Sequence, residues 1–408
     1  MNESLEPRAD EDRAAPLGRT ELTAEILSGL SSVEPAHWNA LHGATGSPFM
    51  RYEFLRALED QGCVGAEEGW LAQHVLLRAD GRLIGAAPMY AKSHSYGEFV
   101  FDWGWAEAYE RAGLRYYPKL VVAAPHTPAT GARLLCAERR AGDAFDPADL
   151  LIQAVRQVAD EAGVSSLHWL FTRPDESERL GRLGHLRRCG IQYHWGNRGY
   201  RDFQDYLDAL TSKRRKQIRK ERREAARAPV EILLLEGGEV EDAQWEAYHA
   251  LYASTYDRKW GFPSLTAGFF KQVAREMPEG VVLLLARREG RYVAGAHLFV
   301  GNDALYGRNW GCSEFHQALH FEMCYYRCIE FCIERGLERF EAGAQGEHKL
   351  TRGFLPVRTH SAHWLRHDAF KEAIGDFLKR ERIENDRHFH YMSAHSPFRC
   401  ARADQTES

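Results

Sequence analysis

Nowhere in this chain do about 18 apolar residues follow one another, so no membrane-spanning helix is expected. The opening stretch, MNESLEPRADEDRAAPLGR, lacks the apolar centre of a secretory signal. Residues 1–22 and 397–408 therefore read as polar, disordered tails. Cysteine is sparse, eight in 408 residues; Cys324, Cys328 and Cys332 recur every four residues along an amphipathic segment and read as small core residues on one side of a helix, not as a metal or redox site. Reduced thiols and a cytoplasmic location are the expectation. Charge of one sign is also missing: the net charge of −5 gives no global attraction for nucleic acid. The chain has no Gly-x-Ser-x-Gly elbow and no P-loop, which argues against a serine hydrolase or a nucleoside triphosphatase. His360, His363 and His367 lie three and four apart along an expected strand and its exit, and His388 and His390 read as surface residues. No metal site is expected from either group.

What is present is the balance of a globular protein, 44% hydrophobic and 27% charged, at a length that suggests two or three domains. A helix is expected over 51–61, a strand over 70–78, a turn at 79–82 and a returning strand over 83–92. The aromatic segment 96–105 and the run 119–124 are read as continuing the sheet. Asp146-Pro147 has the form of a helix start, and that helix is expected to reach about 162 before a buried strand over 165–172. The order returns later, with a hairpin at 281–288 and 292–300, a strand at 304–309, a helix over 318–335 and a strand from 339. Two hairpins, each followed by strand, helix and strand, suggest an internal duplication of one α/β unit. Between them, 213–227 carries nine Lys or Arg against two Glu with no Pro or Gly, and is expected to be helical.

The run LTSKRRKQIRK at 210–220 resembles the basic helix of Fem-type GNAT-like transferases. More specific are HSYGEFVFDWGW at 94–105, TPATGAR at 127–133 and GAQGEHK at 343–349. These resemble the FemAB-like subfamily labelled as peptidoglycan biosynthesis or recognition proteins, over roughly residues 25–395. The resemblance implies an α/β (α+β) fold of two tandem GNAT-like domains, each a mixed, mostly antiparallel sheet flanked by helices. The corresponding division is 23–200, a basic inter-domain helix at 201–228, and 229–396. It also implies acyl or aminoacyl transfer to an amine. Ordinary acetyl-CoA-dependent members have an Arg/Gln-x-x-Gly-x-Gly/Ala loop whose backbone amides hold the pyrophosphate, and none is found here. Fem-type members use aminoacyl-tRNA, which suits the basic helix. The expected donor is therefore aminoacyl-tRNA or an acyl-CoA, with no tightly bound cofactor. The acceptor is expected to be a small-molecule or peptide amine.

Candidate site residues fall into three groups. Lys213, Arg214, Arg215, Arg219 and Lys220 are candidates for phosphate or nucleic-acid contacts, with tRNA as the partner. For catalysis, Glu322 is expected beside the apolar stripe of its helix, at the mouth of a cleft, as a base with a raised pKa. His348 and Glu347 are its rivals, in a glycine-rich turn leaving a strand end where α/β sites collect. Backbone amides around 343–346 are the candidates for holding an oxyanion. For substrate binding the set is Asp102, Trp103, Tyr117, Lys119, Thr127, Thr130 and Arg133 in the first half, with Arg308, Gln345, Lys349 and Arg352 in the second. Two other readings stay open: a non-catalytic pair of GNAT-like halves that binds a cell-wall fragment, peptide or RNA, and an acetyl-CoA enzyme with an atypical phosphate site.

Overall fold

The computed structural model describes residues 20–41, 46–139, 145–257, 263–344 and 346–399. Most of the residues expected as tails lie outside these, as does Gln345. The first half begins with β1 (Leu22–Leu27), α1 (Pro35–Leu41) and α2 (Tyr52–Asp60). The two expected hairpin strands each break into two, β2 (Trp70–Ala72) with β3 (His74–Ala79), and β4 (Arg82–Ala87) with β5 (Met89–Lys92). One break falls at Pro88, which has no N–H to give to a ladder. The hairpin thus serves two sheets: β3 and β4 join β1 and a short β7 (Leu135–Cys136), while β2 and β5 pair in the main sheet.

The segment 96–105 does not continue the sheet, contrary to the sequence reading. Gly97 and Phe99 both take positive φ, which ends extended structure, and α3 (Trp103–Arg111) starts at Asp102. The rest of this half is β6 (Lys119–Val122), α4 (Pro147–Glu161), β8 (Ser166–Thr172), α5 (Pro174–Arg182) and β9 (Leu186–Gly196). Asp146 caps α4 as expected, accepting from the Ala148 N–H at 2.9 Å.

The basic segment is two helices, α6 (Phe203–Ala209) and α7 (Ser212–Ala225). It is no free linker, because Leu207, Leu210 and Ile218 are buried in the second half's core. There follow β10 (Glu231–Glu236), α8 (Asp242–Asp257), α9 (Ala267–Glu276), β11 (Val281–Arg288), β12 (Arg291–Val300) and β13 (Ala304–Cys312). The expected helix over 318–335 forms as α10 (Leu319–Phe321), a π-turn at 322–326 and α11 (Arg327–Glu334). β14 (Arg339–Glu341), a 3₁₀ segment at 347–352, β15 (Leu355–Leu365) and α12 (Asp368–Ala394) complete the chain.

The main sheet has eleven strands in the order β10-β11-β12-β13-β14-β9-β15-β8-β6-β5-β2. Each half contributes one parallel pair made through a crossover helix: β6 with β8 around α4, and β13 with β14 around α10 and α11. This is the tandem GNAT-like α/β arrangement. The sheet itself does not divide at 200 or 229. C-terminal β15 lies between first-half strands β8 and β9, and β9 also pairs with β14. One apolar cluster packs α8 and α9 on one face of the second half's strands, and another packs α6, α7, α10 and α11 on the opposite face.

Candidate functional site

A parallel pair that separates beyond its hydrogen-bonded stretch leaves a wedge, and each half has one. β6 and β8 pair only over Leu120–Val122 and Leu167–Trp169. The following loop, 127–134, fills that wedge: the Gly131 N–H donates to the Phe171 carbonyl at 3.1 Å. Arg133 behind it is almost fully buried, and its guanidinium donates to the carbonyls of Leu170, Ala132 and Ala129 at 2.8–3.0 Å. The main-chain N–H groups of Arg133 and Leu134 are held by the buried Glu176 carboxylate. Arg133 is therefore a plug and not a substrate contact. Thr127 is buried as well, its hydroxyl spent on the Pro125 carbonyl.

The second wedge is open. β13 and β14 pair only over Ala304–Tyr306 and Arg339–Glu341. β13 then carries a bulge: His297 faces Asn309 and Leu298 faces Gly307, so Arg308 has no partner residue on β12. The chain leaving β14 turns away at Gly343, whose φ of 84° suits glycine. At the far end, Gly311 lets the α8 backbone approach at Leu251, where a Cβ would collide with the carbonyl oxygen. The wedge holds a cavity of about 90 Å³ lined by Ala296, His297, Leu298, Gly307, Arg308, Asn309, Trp310, His320, Cys324, Tyr325 and Ala342. Burial pushes His297 down to about 3 and His320 down to about 4, so both rings are neutral at pH 7.

The π-turn shapes one wall. It closes with the Arg327 N–H on the Glu322 carbonyl, five residues back, and brings the rings of His320 and Tyr325 within 5.5 Å. The Tyr325 hydroxyl meets His348 Nε2 at 3.0 Å. His348 is held below the usual histidine range by burial, with Arg352 and Lys349 adding to it. Lys349 is 2% exposed, and its Nζ donates to the Gly343 carbonyl at 2.7 Å. No carboxylate among the described residues pairs with it, and burial brings it down to about 8. His348 and Lys349 lie in the 3₁₀ segment after the β14 end, where the sequence reading put them. The cavity also gathers His320, Tyr325 and His297, which that reading did not name; residues 320 and 325 do not share a face on a regular α-helix, and His297 comes from a separate strand.

Glu322 is overturned as a free base. It is buried as expected, but both carboxylate oxygens are taken by Arg222, at 2.9 and 3.1 Å, and Arg222 also holds Glu330 at 2.6 Å. The residue that removes Glu322 from catalysis comes from α7, distant in sequence. Glu322→Gln should lower stability by about 1–3 kcal/mol, since Arg222 loses a charged partner. It should leave any transfer rate within about twofold; a loss of rate at unchanged substrate saturation would restore the carboxylate to the chemistry. Arg352 is likewise structural: it bonds Glu221 through two nitrogens at 2.9 and 3.1 Å and lies over the Phe321 ring. Glu347 is exposed and stands 3.6 Å from His388.

The first-half set assembles as a buried charged cluster instead of a cleft. Lys119 is fully buried; its Nζ donates to Glu98 at 2.8 Å, to Ser95 at 2.8 Å and to Asp102. Ser95 in turn meets the Tyr117 hydroxyl, and the Tyr116 hydroxyl donates to Asp102 at 2.6 Å. Burial raises Glu98 to about 7; for Asp102 the same burial is outweighed by Lys119, which holds it at about 2. Of this group Trp103 is exposed, its ring 4.8 Å from Tyr96, while Tyr117 and Thr130 are half-buried. Thr130 remains at the junction of the halves, where its backbone N–H bonds Glu341.

On α7 the expected phosphate contacts separate into two kinds. Arg215 pairs with Asp208 at 2.8 Å, Arg214 bonds Gln217, and Arg219 bonds Gln204. Lys213 and Lys220 are exposed, as are Lys216 and Arg223, which the sequence reading did not name; the four are spaced three, four and three apart and align as one stripe, with Lys220 also 3.7 Å from Glu224.

Solved structures share this fold at low sequence identity, among them the two that follow. FemX superposes with a TM-score of 0.52 at 11% identity, over 83% of this chain and 98% of its own. The C-terminal domain of a putative lysylphosphatidylglycerol synthetase from Agrobacterium fabrum gives 0.52 at 10%, over 84% and 95%. Among curated proteins, none matches. The sequence matches the FemAB-like family, described as peptidoglycan biosynthesis/recognition, over residues 29–400. That span takes in both wedges and the strands linking them, and the chain belongs to the FemAB-like family.

Proposed function

We propose that this protein transfers an acyl or aminoacyl group to an amine in the open wedge of its second half. The observation that carries the reading is the contrast between the wedges: one is plugged by Arg133 and its carbonyls, the other holds a cavity lined by Tyr325, whose hydroxyl meets His348, and by His320 and Cys324, on which the Lys349 charge acts. Family membership supports the class of reaction. In the transfer, an amine attacks the donor carbonyl, whose oxygen becomes negative; collapse of the adduct forms the amide, breaks the carbonyl–oxygen bond of an aminoacyl ester or the carbonyl–sulfur bond of a thioester, and the departing hydroxyl or thiol takes its proton from solvent. Lys349 is placed to balance the oxygen's charge in a site with little water. An ammonium has three N–H groups, and the carbonyl of Gly343 takes one. The Tyr325 hydroxyl relays a proton between the reacting amine and neutral His348, which is exposed and exchanges it with solvent. Positioning donor and acceptor together accounts for much of the remaining acceleration.

Aminoacyl-tRNA is the donor this reading favours, because the exposed stripe on α7 presents four aligned cations to a phosphate backbone. Reversing Lys213, Lys216, Lys220 and Arg223 together to Glu should weaken tRNA binding at least tenfold. It should also make the slope of log affinity against log salt shallower by about three, at 0.7–0.9 per lost contact. Filter binding over a salt series measures both, and an unchanged slope would remove tRNA as partner. Cys63, Cys136, Cys189, Cys324, Cys328 and Cys332 are free thiols, which supports a reducing, cytoplasmic setting. The reaction itself is tested by single-turnover transfer from charged tRNA and from acyl-CoA to a panel of amines. Binding of both partners with no transfer from either donor would leave the non-catalytic reading.

A further inference from the structure

On the sheet face opposite Lys349, two groups of opposite charge meet the same loop without meeting each other. Arg308, pushed out by the bulge in β13, donates to the main-chain carbonyl of His126 and lies 5.9 Å from the Phe49 ring. No carboxylate among the described residues forms an ion pair with it, and burial lowers it to about 10. Glu341, at the end of β14, is 5% exposed. One of its oxygens accepts from Arg339 at 3.2 Å and the Thr130 N–H also bonds the carboxylate, yet Oε2 has no hydrogen-bond partner among the described residues. Burial raises this carboxyl to about 7. Each group acts on the other's neighbourhood electrostatically, and Glu341 stabilises the charge on Arg308, but the two form no ion pair. Asn309 Oδ1 and His126 Nδ1, beside Arg308 in the chain or in contact with it, are also buried without partners.

Burying a charge without a partner is costly, and unpaired buried polar atoms are rare. Arg308 has no carboxylate partner among the described residues, and Glu341, although paired with Arg339 at 3.2 Å, keeps Oε2 without a hydrogen bond, 3.9 Å from His194 Nε2; held apart by a β-bulge and a strand end, the two groups fit a ligand that bridges them. The geometry points to a zwitterion site at the junction of the halves, in which Arg308 takes the carboxylate and Glu341 the amine of an amino-acid-like group. Arg308 offers a planar fork suited to a carboxylate, and a carboxylate is the natural partner of an ammonium. The inference rests on the transferase reading and deepens it: the acceptor carries its amine next to a carboxylate, and the amine held at Glu341 faces the wedge from the side opposite Lys349. Because Glu341 sits near neutrality, it also suits removal of a proton from that amine.

The test measures binding by the full-length protein with no acyl donor present, using glycine, L-alanine and L-lysine against acetate and ethylamine. The zwitterions should bind at least tenfold more tightly than either half-ligand. Arg308→Gln and Glu341→Gln should each remove that preference, whereas exposed Arg201→Gln should keep it. Arg308→Gln keeps an N–H donor for the His126 carbonyl, and its melting temperature, measured alongside binding, reports whether it folds. Arg308→Lys, which keeps the charge but loses the fork, should retain part of the binding. Equal affinity for glycine and acetate, or zwitterion binding unaltered in Arg308→Gln, would overturn the site. Since no donor is involved, zwitterion binding without turnover would count against the transferase reading alone.

Discussion

Replacing Lys349 by methionine should slow single-turnover transfer by about 10²–10³-fold, the usual effect of deleting one preorganised donor to a developing oxyanion. The side chain is buried, has no acid partner among the described residues, and is tied to the Gly343 carbonyl at the edge of the wedge. Methionine keeps the length and the apolar stem, so the 3₁₀ segment at 347–352 should stay in place and substrate binding should change little. The sign of the pH dependence follows from burial, which holds Lys349 at about 8. The ammonium, and the rate it supports, is present below that value and is lost as pH rises through it. Lys349→Arg keeps a charge through this range and should abolish that alkaline limb, even if its overall rate is lower. A full rate in Lys349→Met, with the melting temperature unchanged, would show that the charge lies outside the reaction.

The largest effect on stability is expected in the first half. Lys119→Met should destabilise the protein by about 3–5 kcal/mol, because it leaves Glu98 and Asp102 buried without their cation. Both carboxylates are at most 3% exposed, so water cannot replace the ammonium without opening the structure. Replacing Lys119, Glu98 and Asp102 together by Met, Gln and Asn should recover much of the loss, since no charge is then left alone. Urea or thermal unfolding of the two variants measures both quantities. A loss below about 1 kcal/mol in Lys119→Met would mean that the cluster is hydrated and open, as a substrate site would be.

The cluster shows why a list of polar residues does not distinguish a site from a scaffold. Asp102, Tyr117 and Lys119 are the residue types that bind ligands, and here they bond one another through Ser95, Glu98 and Tyr116, with Glu98 Oε1 and Asp102 Oδ1 left without a hydrogen-bond partner among the described residues. Glu98 stands inside a motif that the sequence singled out, but nothing in its spacing marks it as the partner of a lysine 21 residues away. Glu322 carries the same lesson. Helical periodicity placed it correctly at the buried edge of its helix, and only the packing of α7 supplied Arg222. In contrast, the stripe on α7 follows directly from spacing, because residues three and four apart share a helix face wherever the helix lies.

Local rules within the sequence therefore determined the helix cap at Asp146, the buried strands, the second half's hairpin, the charge of α7 and the repeated order of elements. These depend on neighbours a few residues away, and short-range sterics and period decide them. The tertiary structure alone decided which wedge is open, which cations lack a partner and which acids are neutralised. Those depend on pairs such as Arg222 with Glu322, 100 residues apart, and on the insertion of β15 between β8 and β9. Electrostatic balance is set by what lies within a few ångströms, and in this chain those neighbours are brought together by a sheet that runs through both halves.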